Sequence, residues 1–102
     1  MRIVIVVLSV LLIVLALFAF KNRSDIQINA CIELCKKQLE EGEDLTKGPC
    51  LSNKISDGWV CDVAHNPRIE EDNNPENQCS EYLKSAYHFV EVDPNCNLIR
   101  AV

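Results

Sequence analysis

The sequence predicts an α+β protein: an N-terminal transmembrane helix followed by a small disulfide-rich domain of two helices and a small antiparallel sheet. Three observations predict it. Residues 3–20 hold seventeen apolar residues and one polar one, Ser9. The chain carries six cysteines, all beyond residue 30. Only about 38 % of residues 21–102 are apolar, a small core for some 80 residues, which needs staples to be stable.

The N-terminal element rests on length and flanks. Eighteen residues rise roughly 27 Å as a helix, close to a ~30 Å hydrocarbon core. A cleavable signal needs small residues at its exit. Ala16-Leu17-Phe18-Ala19-Phe20-Lys21 places bulky ones there. The expectation is therefore an uncleaved anchor over 1–23, with membrane lipid as the partner of residues 3–20. Arg2, Lys21 and Arg23 flank the run and leave loop charge near a tie. The cysteines break it, because disulfides persist in oxidising compartments. They put the N-terminus in the cytoplasm and residues 24–102 outside, as a single-pass protein of the cell membrane.

A second helix follows. Ser24-Asp25-Ile26-Gln27 has capping-box spacing. Ile28, Cys31, Ile32, Cys35 and Leu39 form one helical stripe. Gly42 suits the residue after a helix end. An anchor helix running on through this segment is the alternative. Residues 42–58 read as loop, from Gly42, Asp44, Gly48-Pro49, Ser52-Asn53 and Asp57-Gly58. Trp59-Val60-Cys61-Asp62-Val63 reads as a short strand. Asn74, Pro75 and Glu76 open another predicted helix, with Cys79, Tyr82, Leu83, Ala86 and Tyr87 as its stripe. The segments 88–92 and 97–102 flank Asp93-Pro94-Asn95-Cys96 as a hairpin.

The six cysteines, Cys31, Cys35, Cys50, Cys61, Cys79 and Cys96, are expected in three disulfides. Fifteen pairings are open. Cys31 and Cys35 lie on one helical face, so each is expected to reach a separate partner across the core. The lipobox-like Ile28-Asn29-Ala30-Cys31 lies ten residues past the apolar run, and acylation there would leave an odd number of cysteines.

The strings Ala30-Cys-Ile-Glu-Leu-Cys35, Gly48-Pro-Cys-Leu-Ser52, Gly58-Trp-Val-Cys-Asp-Val-Ala-His65 and His88-Phe-Val-Glu-Val-Asp-Pro-Asn-Cys96 resemble those of small, membrane-anchored, six-cysteine archaeal proteins. That resemblance implies a cell-surface setting. It brings no activity and no catalytic residue.

Charge narrows the function. From Ser24 onward, seven basic residues face fifteen acidic ones, a net of −8. Such a domain repels nucleic acid. Zinc on Cys31, Cys35, Cys61 and His65 competes with disulfides for the same thiols. No Cys-x-x-Cys is present for redox chemistry, and a Cys61–His65 pair would need a free thiol. Glu70, Glu71, Asp72, Asn73, Asn74 and Glu76 offer oxygen ligands without calcium-loop spacing. Asn22-Arg23-Ser24 matches a glycosylation sequon. Trp59, Tyr82, Tyr87 and Phe89 read as core rather than as a binding patch. The expectation is a non-enzymatic, membrane-anchored surface domain, without cofactor or metal, that contacts another surface protein or the envelope. A pilin-like filament subunit and a small extracytoplasmic redox or metal-dependent enzyme are the alternatives.

Overall fold

The computed structural model describes the backbone of residues 1–21 and 24–102; side-chain surroundings are described outside 17–23. The first helix, α1, is Arg2–Lys21. Its apolar side chains are exposed along residues 3–15. The membrane-spanning expectation is overturned here. Among the described residues, no helix is long and apolar enough to cross a membrane. The transmembrane fold class, the anchor over 1–23, the lipid partner of 3–20 and the single-pass placement therefore lack their basis. The side chains of residues 17–20 of the expected span, and Asn22 and Arg23 of the sequon, lie outside what is described.

The second helix, α2, is Asp25–Glu40. Ser24 precedes it without a side-chain capping bond. Gln27, the expected partner in the capping box, donates instead from Nε2 to Ser56 Oγ, at 3.4 Å. Cys31 and Cys35 are fully buried, and Ile28 and Ile32 pack beside them. Leu39 closes the predicted stripe but stays 42 % exposed. Gly42 ends the helix with φ +84°, a left-handed value that glycine adopts without steric cost.

The sheet has four strands in the order β1 (Cys50–Ser56), β2 (Trp59–Val63), β3 (His88–Val92) and β4 (Leu98–Ala101). Residues 50–56, expected as loop, form β1. Their turn formers are absorbed by two register shifts against β2. The sheet is mixed rather than antiparallel, because β2 and β3 run parallel. A parallel pair needs a long crossover, and residues 64–87 supply it.

The predicted helix in that crossover does not form. Two short 3-10 turns stand there, Glu70–Asn73 and Pro75–Asn77. Asn74 does cap the second, its side chain accepting from Glu76 N–H at 3.1 Å. The chain then leaves helical geometry at Gln78. Cys79 is bonded to Cys50, and Leu83 takes φ +68°. A disulfide to β1 and a left-handed residue override a helical apolar pattern.

All six cysteines pair: Cys31–Cys61, Cys35–Cys96 and Cys50–Cys79. The first two staple α2 to the sheet and to the β3–β4 turn. The third ties the crossover to β1. The main core lies between α2 and one sheet face, with Cys61, Val63, Val90 and Val92 fully buried under the helix and Trp59 and Ala101 at its margin. Alternation along each strand then points Val60, Asp62, Phe89, Glu91 and Arg100 to the other face.

Candidate functional site: a charged cleft on the second sheet face

The second face is only partly covered by the crossover. Val60, Cys79 and Ala86 form a small buried cluster, with Cys50, Tyr82 and Phe89 against it. Beside that cluster lies a cleft of about 320 Å³, whose walls include Val60, Asp62, Arg68, Tyr82, Phe89, Glu91 and Arg100. This volume is at the small end of ligand pockets.

Strand register builds its floor. Asp62 on β2 is the direct neighbour of Glu91 on β3, and Glu91 is opposite Arg100 on β4. Glu91 is only 5 % exposed. It is paired twice: Arg68 Nη1 donates to its Oε2 at 3.1 Å, and Arg100 Nε lies 3.5 Å from its Oε1. Arg68 is further fixed by Nη2, which donates to the Asp72 carbonyl at 3.1 Å and to Asn73 Oδ1 at 3.2 Å. The Arg100 guanidinium sits 5.2 Å from the centre of the Phe89 ring, within cation–π range. Tyr82 meets Phe89 edge-on, with 5.4 Å between ring centres.

Asp62 is different from its neighbour. Its Oδ1 is buried and has no hydrogen-bond partner among the described residues. Burial, then the adjacent Glu91 carboxylate, push its carboxyl up from 3.8 to about 7. The residue is half-buried, and a backbone bond from Val63 and the charge of Arg68 only partly offset the cost of ionising it. Beside a cleft, such a group marks a functional candidate.

A second polar cluster lies behind the crossover. Asp72 is buried and accepts from the N–H groups of His65 and Ile69 at 2.9 and 3.0 Å. His65 Nδ1 is 2.9 Å from its other oxygen. Burial pushes the Asp72 carboxyl up, but the bonds from Ile69 and His65 outweigh it and hold the group below its ordinary range. Gly48 makes this close fit possible: a Cβ there would stand 2.6 Å from Asp72 Oδ1, and its φ of +71° is left-handed. This cluster is a loop clamp in which two backbone N–H groups and the His65 ring engage the Asp72 oxygens.

The cysteines expected as disulfide residues are brought together in three pairs, and none has a free thiol. Cys31, Cys35 and Cys61 are thereby removed from the zinc set weighed with His65. His65 faces Asp72 rather than a thiolate, and no nucleophile is bonded to it. Among the described residues, no group of three or more His, Cys, Asp or Glu side chains is placed to hold a metal ion. Glu70, Glu71, Asn73 and Asn74 line an open surface hollow, while Asp72 turns inward. Trp59 stacks on the exposed His88 at 4.7 Å at the margin of the main core, and Tyr87 is exposed.

Asp62, Glu91 and Arg100 were not singled out by sequence. The signal was present: one acidic residue interrupts each of two otherwise apolar strands, in Val60-Cys61-Asp62-Val63 and Val90-Glu91-Val92. What sequence lacks is the register that sets the two side by side. No protein-family model matches the chain, and no curated protein or solved structure is similar to it.

Proposed function

We propose that residues 24–102 are a non-enzymatic interaction module that receives part of its partner in the Asp62–Glu91 cleft. The observation that carries this reading is the buried, unpartnered Asp62 oxygen at the wall of an open, partly aromatic hollow. The three disulfides support a module that works where thiols are oxidised. They also keep the cleft walls rigid, since Cys50–Cys79 backs the apolar side. The test is selection of short peptides from a random library on the oxidised full-length chain, followed by mapping of amide NMR shifts. Binders are expected to move Val60, Asp62, Tyr82 and Phe89. Binders that move only the outer face of α2 would refute the reading.

A second reading has its own observation. The apolar side chains of α1 are exposed on every turn of residues 3–15, and a helix apolar all round requires cover all round. One partner covers one face, whereas several copies of α1 bundled together cover every face. This supports a self-assembling subunit of the filament kind. Sedimentation of the full-length chain over a hundredfold concentration range is expected to show discrete higher oligomers. A single monomeric species at every concentration would dismiss it.

A further inference from the structure

We infer that the cleft is a receptor for a single carboxylate carried on a small apolar group. The inference rests on the interaction-module reading and names the chemistry of its ligand.

The hydrogen-bonding ledger of the cleft leads to a carboxylate. Arg68 is committed, with donors on Glu91, the Asp72 carbonyl and Asn73. Glu91 is committed to Arg68 and to Arg100 Nε. Arg100 retains its two terminal nitrogens, which donate to no described residue. The Phe89 ring lies 5.2 Å from that guanidinium, and the Arg100 side chain is 55 % exposed. A planar fork with two free donors matches a carboxylate bidentately.

Asp62 supplies a further donor. The charged groups that face it are Glu91 from β3 and Arg68 and Asp72 from the crossover. Burial and Glu91 favour its protonated form, and a protonated carboxyl donates one O–H. An added anion meets the two free donors of the Arg100 guanidinium, whereas an ammonium group is repelled by it. Val60, Tyr82, Phe89 and Cys79 form the apolar remainder of the wall. At about 320 Å³ the space suits one side chain or a small organic acid. The carboxylate has two sources, the C-terminus of a partner polypeptide and a free organic acid.

The test is an amide-shift NMR titration of the oxidised full-length chain at pH 6. The probes are 3-phenylpropionate, N-acetylphenylalanine, the amide of each, and 2-phenylethylamine. Both carboxylates are expected to move Asp62, Tyr82 and Arg100. Each amide is expected to bind at least tenfold more weakly, and the amine not at all. Arg100→Gln, exposed and checked for an unchanged spectrum, is expected to weaken carboxylate binding at least tenfold. Raising the pH to 8 is expected to weaken it severalfold in the native chain. Asp62→Asn keeps an N–H donor at every pH, so that variant is expected to lose the fall. Binding by 3-phenylpropionate alone would assign the site to free acids; binding by both would assign it to polypeptide termini as well. Equal binding of acids and amides, or preference for the amine, would overturn the carboxylate assignment while leaving the cleft a binding site. Silence of the cleft toward every probe would overturn the assignment and the module reading together.

Discussion

The two faces of the sheet are made by alternate residues of the same strands, yet they are opposite in chemistry. The face under α2 presents Cys61, Val63, Val90 and Val92, sealed and cross-linked by two disulfides. The other presents Asp62, Glu91 and Arg100 beside a cleft. The covered face supplies burial, worth roughly 25 cal/mol per Å² of apolar surface, and covalent closure of long loops. The open face holds a desolvated carboxyl, which lowers stability. The difference teaches that in so small a domain one face is given to stability, and this leaves the other free to hold polar groups at a cost.

The sharpest way to break this contrast is to unstaple the covered face. Cys35 and Cys96 are 61 residues apart in sequence. Replacing both by serine is expected to cost about 4 kcal/mol by loop-closure entropy, read as a fall in the urea midpoint. A change below about 1 kcal/mol would mean that the apolar layer alone holds α2 on the sheet.

On the open face the expected sign is reversed. The folded chain holds a proton on Asp62 that the unfolded chain releases near pH 4. Stability therefore falls as pH rises from about 4 to about 7. Asp62→Asn is expected to remove that slope and to stabilise the protein at pH 8 by up to about 3 kcal/mol. Urea titrations at pH 5 and pH 8 check it, and a parallel loss in both variants would place the slope elsewhere. Asp72 and Asp93 act on the acid side. Both are held below the ordinary carboxylate range, Asp93 by N–H groups of Asn97 and Asn95 that outweigh its burial. Their contribution is present at neutral pH and is lost as pH drops below about 4.

The crossover joins the two faces, and Gly48→Ala probes its clamp. The added Cβ meets Asp72 Oδ1 and the Val63 carbonyl at a left-handed φ. A loss of about 2–3 kcal/mol in the urea midpoint is expected, from strain and displaced hydrogen bonds. The smallest effect belongs to the solvent side of α2. Lys36→Ala removes an exposed 4.0 Å pair with Glu33 and should change thermal stability by less than about 0.5 kcal/mol. A larger loss would show that the outer surface of the covered layer also bears on stability.

Much of the covered layer was legible because its signals are local. The stripe through Ile28, Cys31, Ile32 and Cys35 reads as a helix, and 59–63, 88–92 and 97–102 read as strands. Residues 50–56 were missed, since Ser52 and Asn53 are turn formers that β1 accommodates through register shifts. The stripe through Cys79, Tyr82 and Ala86 misled, since Cys79 is pulled to Cys50 and Leu83 turns left-handed. The apolar run was read as a span, whereas among the described residues no helix is long and apolar enough to cross a membrane.

The sequence by itself determined the α+β character, the acidity of the domain and the need for cysteine staples, because composition and period act over short stretches of chain. Only the tertiary structure decided which of fifteen disulfide pairings forms, that β2 and β3 run parallel, and that Asp62 stands beside Glu91. Those depend on how segments from about thirty to about sixty residues apart meet, and their physical cause is packing: α2 takes the apolar face of the sheet, and strand alternation then turns both carboxylates to the other side.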